Sequence, residues 1–171
     1  LWASRWMSVL EGMSRADVAV RLTWISGAML VGFLFMGFFA TGLVRRGIKL
    51  DTIYRGSMLL AISLLALISF QPNFAGNLLW PILGACFSHS NVSYSLVAQA
   101  FPPALSGRAN TALNLLVFLG AFGLQWGIGI LVDALQTQGW ASDAAFRAAF
   151  FTLLGGQLLA LLWMVRPGRQ V

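Results

Sequence analysis

The segment Ser88 to Ser95, SHSNVSYS, puts one imidazole, one amide, one phenol and four serine hydroxyls into eight residues of an otherwise apolar stretch. These groups form hydrogen bonds without carrying fixed charge. They suit either of two tasks: contacting a polar solute on its way past, or holding neighbouring helices together. At 100° per residue Ser88, Asn91, Ser95 and Gln99 fall on one stripe, with Ser90 and Tyr94 on another. His89 is the sole histidine, and imidazole is suited to proton relay near neutral pH, although no carboxylate stands near it in sequence. Asn114 and Gln125, 11 residues apart, project from nearly the same helical face and extend the set of neutral polar candidates.

Signs of bond-breaking chemistry are missing. All five carboxylates (Glu11, Asp17, Asp51, Asp133 and Asp143) lie near the ends of apolar runs, and no serine sits in a nucleophile elbow. Cys86 has no second cysteine with which to form a disulfide or a thiolate metal site. The expectation is a protein that is not an enzyme and uses no cofactor or metal.

The elements that position these side chains follow from charge spacing. Between Arg55 and Arg108 there are 52 consecutive residues without a formal charge, and uncharged runs of 23 (22 to 44), 24 (109 to 132) and 18 (148 to 165) flank them. A bilayer core is crossed by about 20 apolar residues. With 58% hydrophobic and 9% charged residues, the chain is expected to be an all-α, polytopic membrane helical bundle. The formal charge of +6 does not point to nucleic acid, because the basic residues sit at the ends of apolar runs and not on one solvated face.

Five spans are expected, at about 18–44, 54–70, 78–100, 109–132 and 146–165, after the end of a sixth helix in the first residues. Ser14 with Asp17 three residues on predicts a cap ahead of the first span. Gly47 is expected to turn the basic connection Arg45 to Arg55, while Gln71, Pro72 and Asn73 divide the long uncharged run into two antiparallel helices. Pro102 and Pro103 end the third span, Ser106 to Arg108 lead into the fourth, and Asp133 to Arg147 is expected to be a polar loop. Gly123 and Gly127, four apart, predict close approach of another helix.

Sorting the connections by side gives seven basic residues (Arg45, Arg46, Lys49, Arg55, Arg108, Arg166 and Arg169) with one acid, against four basic residues with four acids. The positive-inside rule then predicts an outside start and a cytoplasmic end for this stretch, in a bacterial inner (plasma) membrane and in contact with membrane lipid. A preceding span cut through by the start of the chain is expected.

Three stretches together resemble the C-terminal half of a major facilitator superfamily transporter. LWASRWMSVLEGMSRADVAV is similar to the outer end of that half's first helix and the loop after it. GFFATGLVRR, Gly37 to Arg46, followed by Gly47, resembles a degenerate form of the family's short cytoplasmic loop motif, with Thr41 where an acid is common. PPALSGRANTALNLLVFLGAFGLQWGIGILVD is similar to the inner loop and penultimate helix, with Arg108, Asn114, Gln125 and Asp133 at recurring polar places. The resemblance implies two six-helix bundles, the N-terminal one outside this sequence. A small-molecule solute would bind between them near the midplane and cross by alternating access. Ser88, His89, Asn91, Tyr94, Asn114 and Gln125 become substrate-pathway candidates, and Gly37, Arg45, Arg46, Gly47 and Arg108 the loop-motif candidates. The alternative expectation is a non-transporting membrane anchor or assembly module whose polar helix packs against a partner.

Overall fold

The computed structural model describes residues 2–70 and 76–165. In chain order these form α1 (Trp2–Val9), α2 (Arg15–Arg45), α3 (Leu50–Phe70), α4 (Gly76–Cys86), a 3-10 turn (Phe87–His89), α5 (Ser90–Ala100), α6 (Pro103–Thr137) and α7 (Ser142–Val165). Among the described residues no strand occurs, and four helices, α2, α3, α6 and α7, are long and apolar enough to cross a membrane. The protein is a membrane-embedded helical bundle.

The expected fifth span, 78–100, takes a different form. It is helical from Gly76 to Ala100, but the 3-10 turn divides it into two pieces of 11 residues. Each piece is about 16 Å long, half of a bilayer core. Pro81 stands inside the first piece and withdraws the amide that the Asn77 carbonyl would otherwise receive.

The turns follow local chemistry. Ser14 has extended backbone (φ −65°, ψ 158°); its Oγ accepts the Asp17 amide at 3.2 Å and donates to Asp17 Oδ2 at 2.6 Å. The cap therefore starts α2 ahead of the apolar run, as the spacing predicts, with the carboxylate taking the hydroxyl and not the Ser14 amide. Gly47, at φ +85°, makes the α2–α3 turn in a region that side chains rarely adopt. Arg55 lies on α3, where its Nε meets Asp51 Oδ1 at 2.9 Å one turn back.

Three expectations are corrected. Ser106 to Arg108 belong to α6, which opens directly on Pro103 because a proline in the first turn has no amide to leave unbonded. Asp133 to Thr137 are helical too, so the polar loop shrinks to residues 138–141, where Gly139 at φ +88° reverses the chain. Among the described residues none lies within 4 Å of a Cβ built on Gly123 or Gly127, so their spacing marks no helix crossing within this bundle. The close crossing is between α2 and α4. A Cβ on Gly32 would sit 2.5 Å from the Ala85 carbonyl oxygen, and one on Gly84 2.9 Å from Ile25 Cγ2. The expected turn at Gln71, Pro72 and Asn73, with Arg166 and Arg169, lies outside the described residues.

The core sits at the end of the bundle away from Gly47. The short α1 is its plug: Trp6 and Met7 are fully buried, among Ile62, Leu65, Ile68, Leu79, Trp80, Leu83 and Phe150. Trp6 packs on Phe150 with ring centres 4.2 Å apart. A second cluster, Ile128, Val132, Ala145, Phe146 and Ala149, joins α6 to α7. By contrast, α2 and α6 present broad apolar faces, with Trp24, Phe35 and Phe38 on one and Phe118, Phe122 and Trp126 on the other.

Candidate functional site

The polar stretch of the divided helix separates into three environments. Asn91, Ser95 and Gln99 form a row at steps of four along α5 and line one wall of a groove of about 540 Å³. The opposite wall is a helical stripe on α2, Phe33, Met36, Gly37, Ala40, Thr41, Val44 and Arg45, spaced at threes and fours. Ile48, Lys49 and Leu50 line the end where the chain turns into α3. The groove thus has an apolar side, a neutral hydrogen-bonding side and two cationic residues at its mouth. Among the described residues no aspartate or glutamate lines it.

Tyr94 points to a different neighbour. Its hydroxyl donates to Asn114 Oδ1 at 2.8 Å and ties α5 to α6. Two of the sequence candidates, 20 residues apart, therefore meet directly. Asn114 and Gln125 are both exposed. The backbone carbonyl of Gln125 accepts the Trp2 indole N–H at 3.3 Å, so α1 is fastened to α6 at that level.

Ser88 and His89 belong to the 3-10 turn and face protein. Ser88 is only 2% exposed, which removes it from the groove that its stripe partners Asn91 and Ser95 line. Both α2 and α3 pack against the 3-10 turn at this level and cover it. His89 Nδ1 lies 2.6 Å from the Cys86 carbonyl oxygen. A carbonyl accepts only, so the proton is on Nδ1, and in the neutral ring Nε2 is left as an acceptor. The donor that would reach Cys86 in an unbroken helix, the Ser90 amide, is turned to the Phe87 and Ser88 carbonyls. His89 thus satisfies a backbone group released by the break, which matters where water is scarce. Its ring stands edge-on to Tyr54 of α3, with centres 5.6 Å apart.

Of the loop-motif candidates, Gly37 and Arg45 line the groove and meet the row of Asn91, Ser95 and Gln99. Arg46 and Gly47 lie in the turn beyond it, and Arg108 is exposed on α6.

Sequence reasoning missed a polar network at the other end of the bundle. Glu11, in the connection after α1, accepts from Arg21 of α2 and, at 3.0 Å, from the Trp80 indole of α4. Arg21 also donates to the Asn77 side chain. The ion pair is well covered, with 11% of the Arg21 side chain and 6% of that of Glu11 exposed. Beside it lies a cavity of about 650 Å³ lined by Asp17, Arg21, Trp24 and Asn77 among others. The sequence signal available was the presence of both charges near the end of an apolar run, which reads equally well as solvated loop.

Among the described residues no three histidine, cysteine, aspartate or glutamate side chains converge as a metal site would require. In comparison with known proteins, no family model, no curated protein and no solved structure matches this chain.

Proposed function

We propose that this chain forms one wall of a secondary transporter for a small solute, working by alternating access in the manner of the major facilitator transporters that its sequence resembles. The observation that carries the reading is the row Asn91, Ser95 and Gln99 along a groove within a bundle otherwise built of apolar helices. Amides and hydroxyls at such a position are costly against lipid and useful against a polar solute. The broad apolar faces of α2 and α6 are consistent with a second six-helix half packing beside them, the rest of the surface meeting lipid. By the positive-inside rule the end carrying Arg45, Arg46, Lys49, Arg55 and Arg108 is cytoplasmic, in the bacterial inner membrane. Tyr94, Asn114 and Gln125 are second-rank contacts in this reading, while His89 holds the break in the divided helix.

The test is uptake by vesicles containing the intact protein, with a solute that protects a cysteine at Asn91 from labelling. Alanine at Asn91, Tyr94, Asn114 or Gln125 is expected to lower uptake without changing membrane insertion. Normal uptake in all four removes this site assignment.

One observation favours the alternative, a membrane anchor or assembly module. Tyr94 and Asn114 are engaged with each other at 2.8 Å, as packing residues are. Asn91 closed to solute and to water-soluble label would favour that reading.

A further inference from the structure

The groove between α2 and α5 carries an electrostatic imbalance. Arg45 and Lys49 stand at its mouth, and among the described residues no carboxylate lines it and the ion pairs are Arg21 with Glu11 and Arg55 with Asp51, so neither mouth cation is paired with a described carboxylate. Gly47 folds the chain so that Arg45, at the end of α2, and Lys49, just before α3, reach the same opening, while Arg46 between them is not part of the lining. Gln99, near the end of α5, lies at the level of Arg45, and Ser95 and Asn91 follow inward, so that the row supplies neutral donors along the groove. Cations at an interface, followed inward by amide and hydroxyl groups, match a ligand with a negatively charged oxygen cluster at one end. Charge-assisted hydrogen bonds hold that end, and the neutral row replaces part of its hydration. The Phe33 and Met36 side fits a ligand with an apolar portion.

We propose that this groove is an oxyanion site, binding a carboxylate or phosphate group through Arg45 and Lys49 with Gln99 beside them and Ser95 and Asn91 behind. The proposal rests on the reading of the groove as a solute path and narrows its substrate to anions. The same chemistry is offered by an anionic lipid headgroup, since basic pockets between helices at the cytoplasmic face also hold phospholipids.

The test uses the intact protein with Ser95→Cys in a Cys86→Ser background, in phosphatidylcholine vesicles, and follows alkylation by a neutral maleimide. Inorganic phosphate, compared with chloride at matched ionic strength, is expected to slow alkylation several-fold, and the slowing is expected to vanish in Arg45→Gln with Lys49→Gln. Arg45→Lys and Lys49→Arg keep the charge and should keep the protection, which guards against a variant that has merely misfolded or changed its topology. Slowing only when phosphatidylglycerol is added to the vesicles supports the oxyanion site and assigns it to a lipid headgroup. Reaction that is unaffected by either anion, or protection that survives loss of both cations, overturns the proposal and leaves the solute path standing. A cysteine that never reacts overturns both.

Discussion

Tyr94 Oη donates to Asn114 Oδ1 at 2.8 Å, joining the second half of the divided helix to α6. The bond links two packed helices, and it separates Tyr94 from the row Asn91, Ser95 and Gln99, which turns toward α2. One short stretch of sequence thus serves two purposes, with one face for packing and one for the groove.

Removing this bond tests the packing face. Tyr94→Phe and Asn114→Ala should each destabilise the protein by about 0.5–2 kcal/mol, with a coupling of roughly 0.6 kcal/mol in a double-mutant cycle, the usual size for hydrogen bonds between membrane helices. Thermal unfolding in detergent reads the cycle. Additive losses would mean that the two side chains do not interact.

The α2–α4 crossing gives a second prediction. Gly32→Ala places a methyl 2.5 Å from the Ala85 carbonyl oxygen, a backbone atom that cannot swing aside, so about 1–3 kcal/mol of stability should be lost. Gly123→Ala and Gly127→Ala, which meet nothing within 4 Å, should change stability by no more than about 0.5 kcal/mol. Equal effects at the two places would contradict the crossing.

At the opposite end, Glu11→Ala leaves Arg21 covered and without its carboxylate, and removes the acceptor of the Trp80 indole. Breaking a buried pair from one side costs about 3–5 kcal/mol, and the small residual exposure of both groups places this one near the lower figure. The loss should change little with added salt, since a covered pair is poorly screened. A loss that disappears in salt would show that the pair is solvated.

His89→Ala frees the Cys86 carbonyl at the break, whereas His89→Asn keeps a short side-chain donor. Alanine should therefore lower thermal stability by about 1–3 kcal/mol and asparagine by less. If both variants match the parent, the imidazole is not holding the turn.

Much of the fold was legible because charge is expensive in a bilayer. The uncharged runs marked α2, α3, α6 and α7, Gly47 and the two prolines marked chain reversals, and Ser14 marked a helix start. Helix ends beyond the bilayer were less legible. Asp133 to Thr137 carry no helix breaker, Gly107 is a lone glycine of the kind a helix tolerates, and hydropathy says nothing about a helix that continues into water. The 3-10 turn was hidden because Phe87, Ser88 and His89 include neither glycine nor proline. Ser88 shares the helical stripe of Asn91 in the sequence, but α2 and α3 pack over the 3-10 turn and bury it, which periodicity alone does not reveal. Gly123 and Gly127 misled because small residues at a spacing of four face lipid as readily as a helix, while the true crossing uses isolated glycines opposite Ala85 and Ile25. The pairing of Glu11 with Arg21 is not legible in the sequence because only the turn before Ser14 and the arrival of α4 bring them together.

The proposed path requires a wetted groove row and a packed remainder of the polar stretch. The most direct measurement is the labelling of single cysteines at Ser88, Asn91, Ser95 and Gln99, in a Cys86→Ser background, by a water-soluble thiol reagent acting on the intact protein in membranes. Reaction is expected at Asn91, Ser95 and Gln99, and protection at Ser88. Silence at all four while loop controls react, or reaction at Ser88 as fast as at Asn91, would contradict the proposed path.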